Sequence, residues 1–453
     1  MSDSLSSSSV ETNRQLLLIA YYYYQDESPA SKRTKGLCRY LPEYGWDVTL
    51  LTVPKYSNQQ NTTNIIHAEM KKDFVQKFVS QLCHSNSLNE CHNDGCEERN
   101  SCKHPLLSLG KRVLNNKYTG CVVRRLYHIL FSQYDGAGWF KPAVNVGRQE
   151  LYKKKYDAIL STQCPITAHC IAHELKKEFD VPWIADYRDL WSQWDLVQKG
   201  KSPRRKEKDY QFECGLIEYA NVLTVVSEPW ALELEKQHGK PVVTIPNGFD
   251  PEIQNPGMAV DAKFSILHSG VIYGRNRSLK HLFHAVRELV DDGIMDIADI
   301  SLDFYGPKED GFTEDVRTYS LERCVHFHGI ASHQEILGYQ RKSQVLLLLT
   351  ADDPIDVGCY PAKLFEYLAA QRPILSYGYS KKCVISDLLQ ETSAGYHLMT
   401  FDAIKKQLSL WYSEWKETGV VGYGGDRVAI EGYSHRGMAQ KFVNVLYDVT
   451  STK

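Results

Sequence analysis

The chain has 453 residues, 43% hydrophobic and 24% charged, and its 53 basic and 55 acidic side chains leave a formal net charge of −2. That length exceeds one ordinary core and suits two domains, while the balanced charge gives no global field that would attract nucleic acid. No apolar window approaches the roughly 18 residues of a membrane span, and the 12 cysteines accompany no export feature, so free thiols and a cytoplasmic setting are expected.

Residues 1–14 are serine-rich and lack an apolar signal core, which predicts a disordered tail. From Gln15 short apolar runs alternate with amphipathic stretches. Strands are predicted at Leu16–Tyr21, Val48–Val53, Ala158–Ser161, Trp183–Asp186, Val222–Val226 and Val242–Ile245. Helical patterns lie between them at Ser31–Leu41, Ile166–Phe179, Lys206–Tyr219 and Pro229–Gln237. Alternating strand and helix imply a parallel, doubly wound sheet, here spanning residues 15–247.

Residues 54–135 do not fit that alternation and are set apart as an insertion facing a membrane or an acceptor. Within it Cys83, Cys91, Cys96 and Cys102 lack close Cys-x2-Cys pairing, so free thiols are favoured over zinc, and no metal is expected. Leu107–Phe131 mixes basic and apolar residues; it suits either a membrane surface or packing on its own domain.

Asn247-Gly248 breaks the rhythm, and 248–263 reads as a linker. A second alternation follows over 264–430, with strands at Phe264–His268, Ile300–Tyr305, Val325–His328, Val345–Leu349 and Ile374–Tyr377. Its helices are Leu279–Val290, Gln334–Lys342 and Ala362–Ala370, and a further helix near Gly437–Tyr447, within 431–453, has no assigned packing partner. Two such sheets in tandem place a cleft between their carboxyl edges.

The most informative stretch runs from Gly358 to Pro373. Pro361 opens a helix and Pro373 closes it, Leu364, Phe365 and Leu368 form the apolar stripe, and Lys363, Glu366 and Tyr367 are expected to share the other face. A lysine in a first helical turn opposes the helix dipole, a conflict that a bound phosphate resolves; a solvated Lys–Glu pair is the competing interpretation. Phe264–Gly270 is a strand running into a small-residue turn, where Ser269 and Gly270 permit close approach of a ligand. Arg275 and Arg277 follow it and suit a diphosphate.

From Leu16 to about Leu398 the chain resembles retaining glycosyltransferases of family 4, which have the GT-B fold of two Rossmann-like domains. Four signatures carry the likeness. They are Ser31, Arg33 and Gly36 with Tyr44–Val48; Pro182–Trp191; Val226-Ser227 leading to Ile245–Asp250; and Pro361–Pro373. The resemblance implies a nucleotide-diphosphate sugar donor with no required cofactor. It places Glu366 on the donor ribose, and Lys363, Arg275, Arg277, Ser269 and Gly270 on the diphosphate. It further implies a glycan or lipid-linked acceptor, polysaccharide synthesis and peripheral contact with the inner membrane face. One departure stands out. Gly358 occupies the position at which many members carry a first glutamate, and the nearest acids are Asp352, Asp353 and Asp356.

On the acceptor side, Asp186, Arg188 and Asp189 follow a buried strand. They suit acceptor hydroxyls and proton removal, or else an internal ion pair that shapes the loop. Thr162 and Gln163 end the preceding strand, and Arg33 is a candidate contact for an acceptor phosphate. Of Tyr21–Tyr24, two are assigned to the core and two to the cleft. A nucleotide-sugar epimerase and a non-catalytic subunit of a transferase complex are the alternatives to transfer.

Overall fold

The computed structural model describes residues 13–24, 29–54, 64–70, 136–272, 278–308, 311–350, 357–378 and 382–451. The cysteine cluster at 83–102, the stretch Leu107–Phe131, Arg275, Arg277 and the acids at 352, 353 and 356 lie outside them, as does most of the expected tail.

Seven parallel strands make the first sheet: β1 (Arg14–Ile19), β2 (Trp46–Thr52), β3 (Asn64–His67), β4 (Ala158–Thr162), β5 (Trp183–Tyr187), β6 (Val222–Val225) and β7 (Val242–Thr244). Their order is β3-β2-β1-β4-β5-β6-β7. Six more form the second sheet: β8 (Phe264–Ser269), β9 (Ile300–Tyr305), β10 (Val325–Gly329), β11 (Val345–Leu349), β12 (Ile374–Tyr377) and β13 (Gly395–Leu398), in the order β10-β9-β8-β11-β12-β13. Both are doubly wound, with the strand order reversing between β1 and β4 and again between β8 and β11. Those switch points are where such sheets open a crevice at their carboxyl ends.

The central strands are buried throughout and mostly apolar because helices cover both faces. Leu17 and Ile19 pack with Trp139 and Trp183 on one side of the first sheet. Leu16 and Leu18 face the other side, against Leu37, Tyr40 and Phe442. Phe442 belongs to the helix His435–Ser451, longer than the sequence pattern indicated, whose Met438, Ala439 and Leu446 join the same core. Apolar residues at i, i+4 and i+8 make one stripe, and the first unit offers the face that buries it. The chain therefore starts in the first unit, builds the second, and returns.

The stretch set apart as an insertion also contributes β3, an edge strand of four residues beside β2. Asn64-Ile65-Ile66-His67 is too short and too polar at its ends to announce a strand. The first strand begins within the span expected as tail: Arg14 is in β1, with its guanidinium over Tyr447. The two passages between units run side by side. Phe249 N donates to Tyr433 O at 3.1 Å, and His435 N donates to Phe249 O at 2.7 Å.

Candidate functional site

The helix Pro29–Tyr40 directs three residues towards the crevice region. Ala30 O accepts from Arg188 Nη1 at 2.6 Å, Arg33 meets Asp186, and Lys32 reaches across to Glu366 at 2.6 Å.

Asp186 is fully buried and accepts four hydrogen bonds: Arg33 Nε at 2.9 Å, Arg33 Nη2 at 2.7 Å, Thr162 Oγ1 at 2.8 Å and Thr224 Oγ1 at 2.7 Å. Burial alone would push its carboxyl up, but the guanidinium and the two hydroxyls hold it below the usual range. Of the two roles open to Asp186, the geometry favours the internal ion pair. The same contacts correct the expectation for Arg33. It is 2% exposed, its third nitrogen donates to Pro246 O at 3.1 Å, and its plane lies over Phe442, so it has no side left for an acceptor phosphate. Thr162 is spent on Asp186 in the same way. These four groups tie the first helix, β4, β5 and β6 together.

Arg188 Nε donates to Gln163 O at 2.6 Å, which holds the loop after β4. The Gln163 side chain is buried with neither amide atom paired. Asp189 lies beside Cys164, and burial pushes its carboxyl up against the opposing pull of Arg188. Asp189 is thus the carboxylate at this edge for which no ion pair is found among the described residues.

In the second unit, β8 ends at Ser269 and the chain turns at Gly270, whose φ of +106° lies in the region that favours glycine. The Lys363 ammonium sits directly over that turn and donates to Ser269 O; a Cβ on Gly270 would come within 2.7 Å of it. Lys363 is in the first turn of the helix Ala362–Ala370, which has no side-chain cap and no acidic residue in that turn. A lysine, a small-residue turn and the start of a helix thus come together at one place, the combination of groups that anion sites use.

Glu366 follows one turn later. Its Oε1 accepts from Lys32 at 2.6 Å and His333 Nε2 at 3.0 Å, and its Oε2 from Gln340 at 3.4 Å. Burial pushes the carboxyl up, yet His333 and Lys32 outweigh it and hold the group at about 2. Gln340 also donates to Ser269 Oγ at 3.3 Å, linking the turn to Glu366. On the side of the chain crossings, Glu366 faces a cavity of about 1040 Å³ walled by Lys32, Lys35, Arg39, His333 and His435.

The structure thus groups Ser269, Gly270, Lys363 and Glu366, and separately Arg33, Thr162 and Asp186, with Gln163, Arg188 and Asp189 alongside. Lys32, His333 and Gln340 were not anticipated. His333 and Gln340 lie seven apart on one helical face, the only signal the sequence carried for them.

Gly358 sits against the first unit. A Cβ there would lie 2.5 Å from Trp230 Cδ1 and 3.0 Å from Ser227 Oγ. With the units so arranged, a side chain at that position would have to displace the Trp230 ring. Among the described residues no group of side chains is placed to hold a metal ion, and no helix is long and apolar enough to cross a membrane.

No family model matches the sequence, and neither does any curated protein. Solved structures do match. A sucrose-phosphate synthase from Thermosynechococcus elongatus aligns over 97% of this chain and 100% of its own, at 13% identity and a TM-score of 0.59. A glycosyltransferase from Rickettsia africae aligns over 97% and 100%, at 10% identity and 0.56. HepE of Anabaena in complex with UDP aligns over 96% and 100%, at 12% identity and 0.55. The fold is the two-unit α/β arrangement of GT-B proteins, with parallel sheets of seven and six strands.

Proposed function

We propose that the chain is a glycosyltransferase that moves a sugar from a nucleotide-diphosphate donor to a glycan or lipid-linked acceptor, with retention at the anomeric carbon. The observation that carries this is the pairing of an anion site with a ribose-type acceptor on one helix. Lys363, in the first turn of the helix Ala362–Ala370, stands over the Ser269–Gly270 turn, and Glu366 lies one turn further, on the wall of the cavity of about 1040 Å³. Charge that builds on a departing diphosphate is stabilised by a fixed ammonium and helix amides without a metal. Arg275 and Arg277 belong to the same half of the site in this proposal, and the HepE structures with UDP and with UDP-glucose support the donor class.

In the first unit, Asp189 is the carboxylate left to meet an acceptor hydroxyl, and Arg188 with Gln163 shapes the wall beside it. Asp186 acts indirectly, by fixing that wall. Assembly of a polysaccharide at the inner membrane face is the setting we propose.

Calorimetric titration with UDP-, GDP-, dTDP- and ADP-sugars tests the proposal. One of them is expected to bind the wild-type protein, and folded Glu366→Ala is expected to lose most of that affinity. Unchanged binding by the variant removes Glu366 from the site and the proposal with it. An epimer formed from donor alone would redirect the assignment to a nucleotide-sugar epimerase.

A further inference from the structure

An ionised carboxylate offers about four acceptor directions. At Glu366 three are taken: Lys32 and His333 on Oε1, and a long contact from Gln340 on Oε2. A ribose diol that donates two hydrogen bonds therefore needs one of these donors to leave. His333 and Gln340 belong to the same unit as Glu366 and are built into the helix His333–Lys342 that packs beside it. Lys32 comes from the other unit.

Lys32 is also the partner most able to withdraw. Its side chain is 27% exposed against 12% for Glu366, its stem is long, and the adjoining cavity of about 1040 Å³ gives its ammonium water to return to. The backbone beneath it is fixed, because Arg33 is locked onto Asp186 and Ala30 O onto Arg188. Only the side chain has to move.

We propose that Lys32 competes with the donor ribose for Glu366, so that nucleotide-sugar binding breaks an ionic contact between the two units. This rests on the transferase assignment above and adds to it a residue of the first unit that sets donor affinity. Because Glu366 stays ionised down to about pH 2, the contest is one of hydrogen-bond geometry and not of protonation. Apparent affinity then scales with the fraction of molecules in which Lys32 is detached.

Two measurements test it. In ligand-free protein, a double-mutant cycle of Lys32→Met and Glu366→Gln, read by denaturation midpoint, is expected to be non-additive; additive losses overturn the proposal whatever the ligand. Titration with the same four nucleotide sugars is expected to give Lys32→Met a dissociation constant lower than wild type by roughly three- to tenfold. An equal or weaker affinity overturns the competition and leaves the transferase assignment standing. Coupling in the cycle, with no nucleotide sugar bound by either protein, overturns both.

Discussion

Lys32 and Arg33 are neighbours on one helix, and each meets a carboxylate at the crevice, yet the two pairs have little in common. The side chains of Arg33 and Asp186 are 1% and 0% exposed and joined by two parallel hydrogen bonds, and both residues belong to the first unit. Lys32 and Glu366 are 27% and 12% exposed, joined by a single contact, and belong to different units. Adjacent helical positions point about 100° apart, so one basic residue enters the core and the next the cleft. The planar fork of arginine suits a permanent, bidentate bond, while the ammonium of lysine is a single point charge on a flexible stem. A carboxylate whose partners all come from its own unit is structural; one partnered across a cleft is available for exchange.

The sharpest way to break this contrast is to remove Asp186. Asp186→Ala leaves a buried guanidinium unpaired and is expected to cost about 3–5 kcal/mol of stability in chemical denaturation; a loss under 1 kcal/mol would place Asp186 among the exchangeable groups. Glu366→Ala should behave in the opposite sense. Its stability loss should stay below that of Asp186→Ala, at about 1–3 kcal/mol, whereas donor affinity falls roughly ten- to hundredfold in titration. Gly358→Ala, driven against the rigid Trp230 ring, is expected to cost about 1–3 kcal/mol through overpacking, seen as a lowered Tm. A Gly358→Ala, Trp230→Ala double variant that loses less than the sum of the two single losses would assign the Gly358→Ala loss to the contact between units.

The smallest effect concerns pH. The Glu366 carboxyl is held at about 2 against an ordinary value of 4.5, so its pairing stabilises the folded state above pH 4.5, and that contribution disappears as pH falls from 4.5 towards 2. Acid titration of Glu366→Gln should show a shallower decline over that window than the wild-type protein. Identical slopes would mean that neither His333 nor Lys32 holds Glu366 in solution.

Much of this was legible in advance, and the remainder was hidden for identifiable reasons. Long apolar runs such as Val345–Leu349 and the proline-bracketed helix Ala362–Ala370 carry their own signals, so the two sheets and the Lys363–Glu366 helix could be located. Edge strands of four residues such as β3 and β13 bury little and have no period to detect. Partnerships are another matter. Arg33 and Asp186 are 153 positions apart, and Lys32 and Glu366 are 334 apart, so nothing local distinguishes an arginine destined for the core from one facing a phosphate. The importance of Gly358 likewise lies in Trp230, which only the folded chain brings near.

The return of the chain bears on how the molecule is born. The face of the first sheet that carries Leu16 and Leu18 is completed by Phe442 and its neighbours, which leave the ribosome only after the whole second unit. A nascent chain therefore holds a partly uncovered apolar face through most of its synthesis, a condition that invites chaperone capture. It also means that trimming the helix His435–Ser451 would injure the opening half of the protein rather than the half it follows.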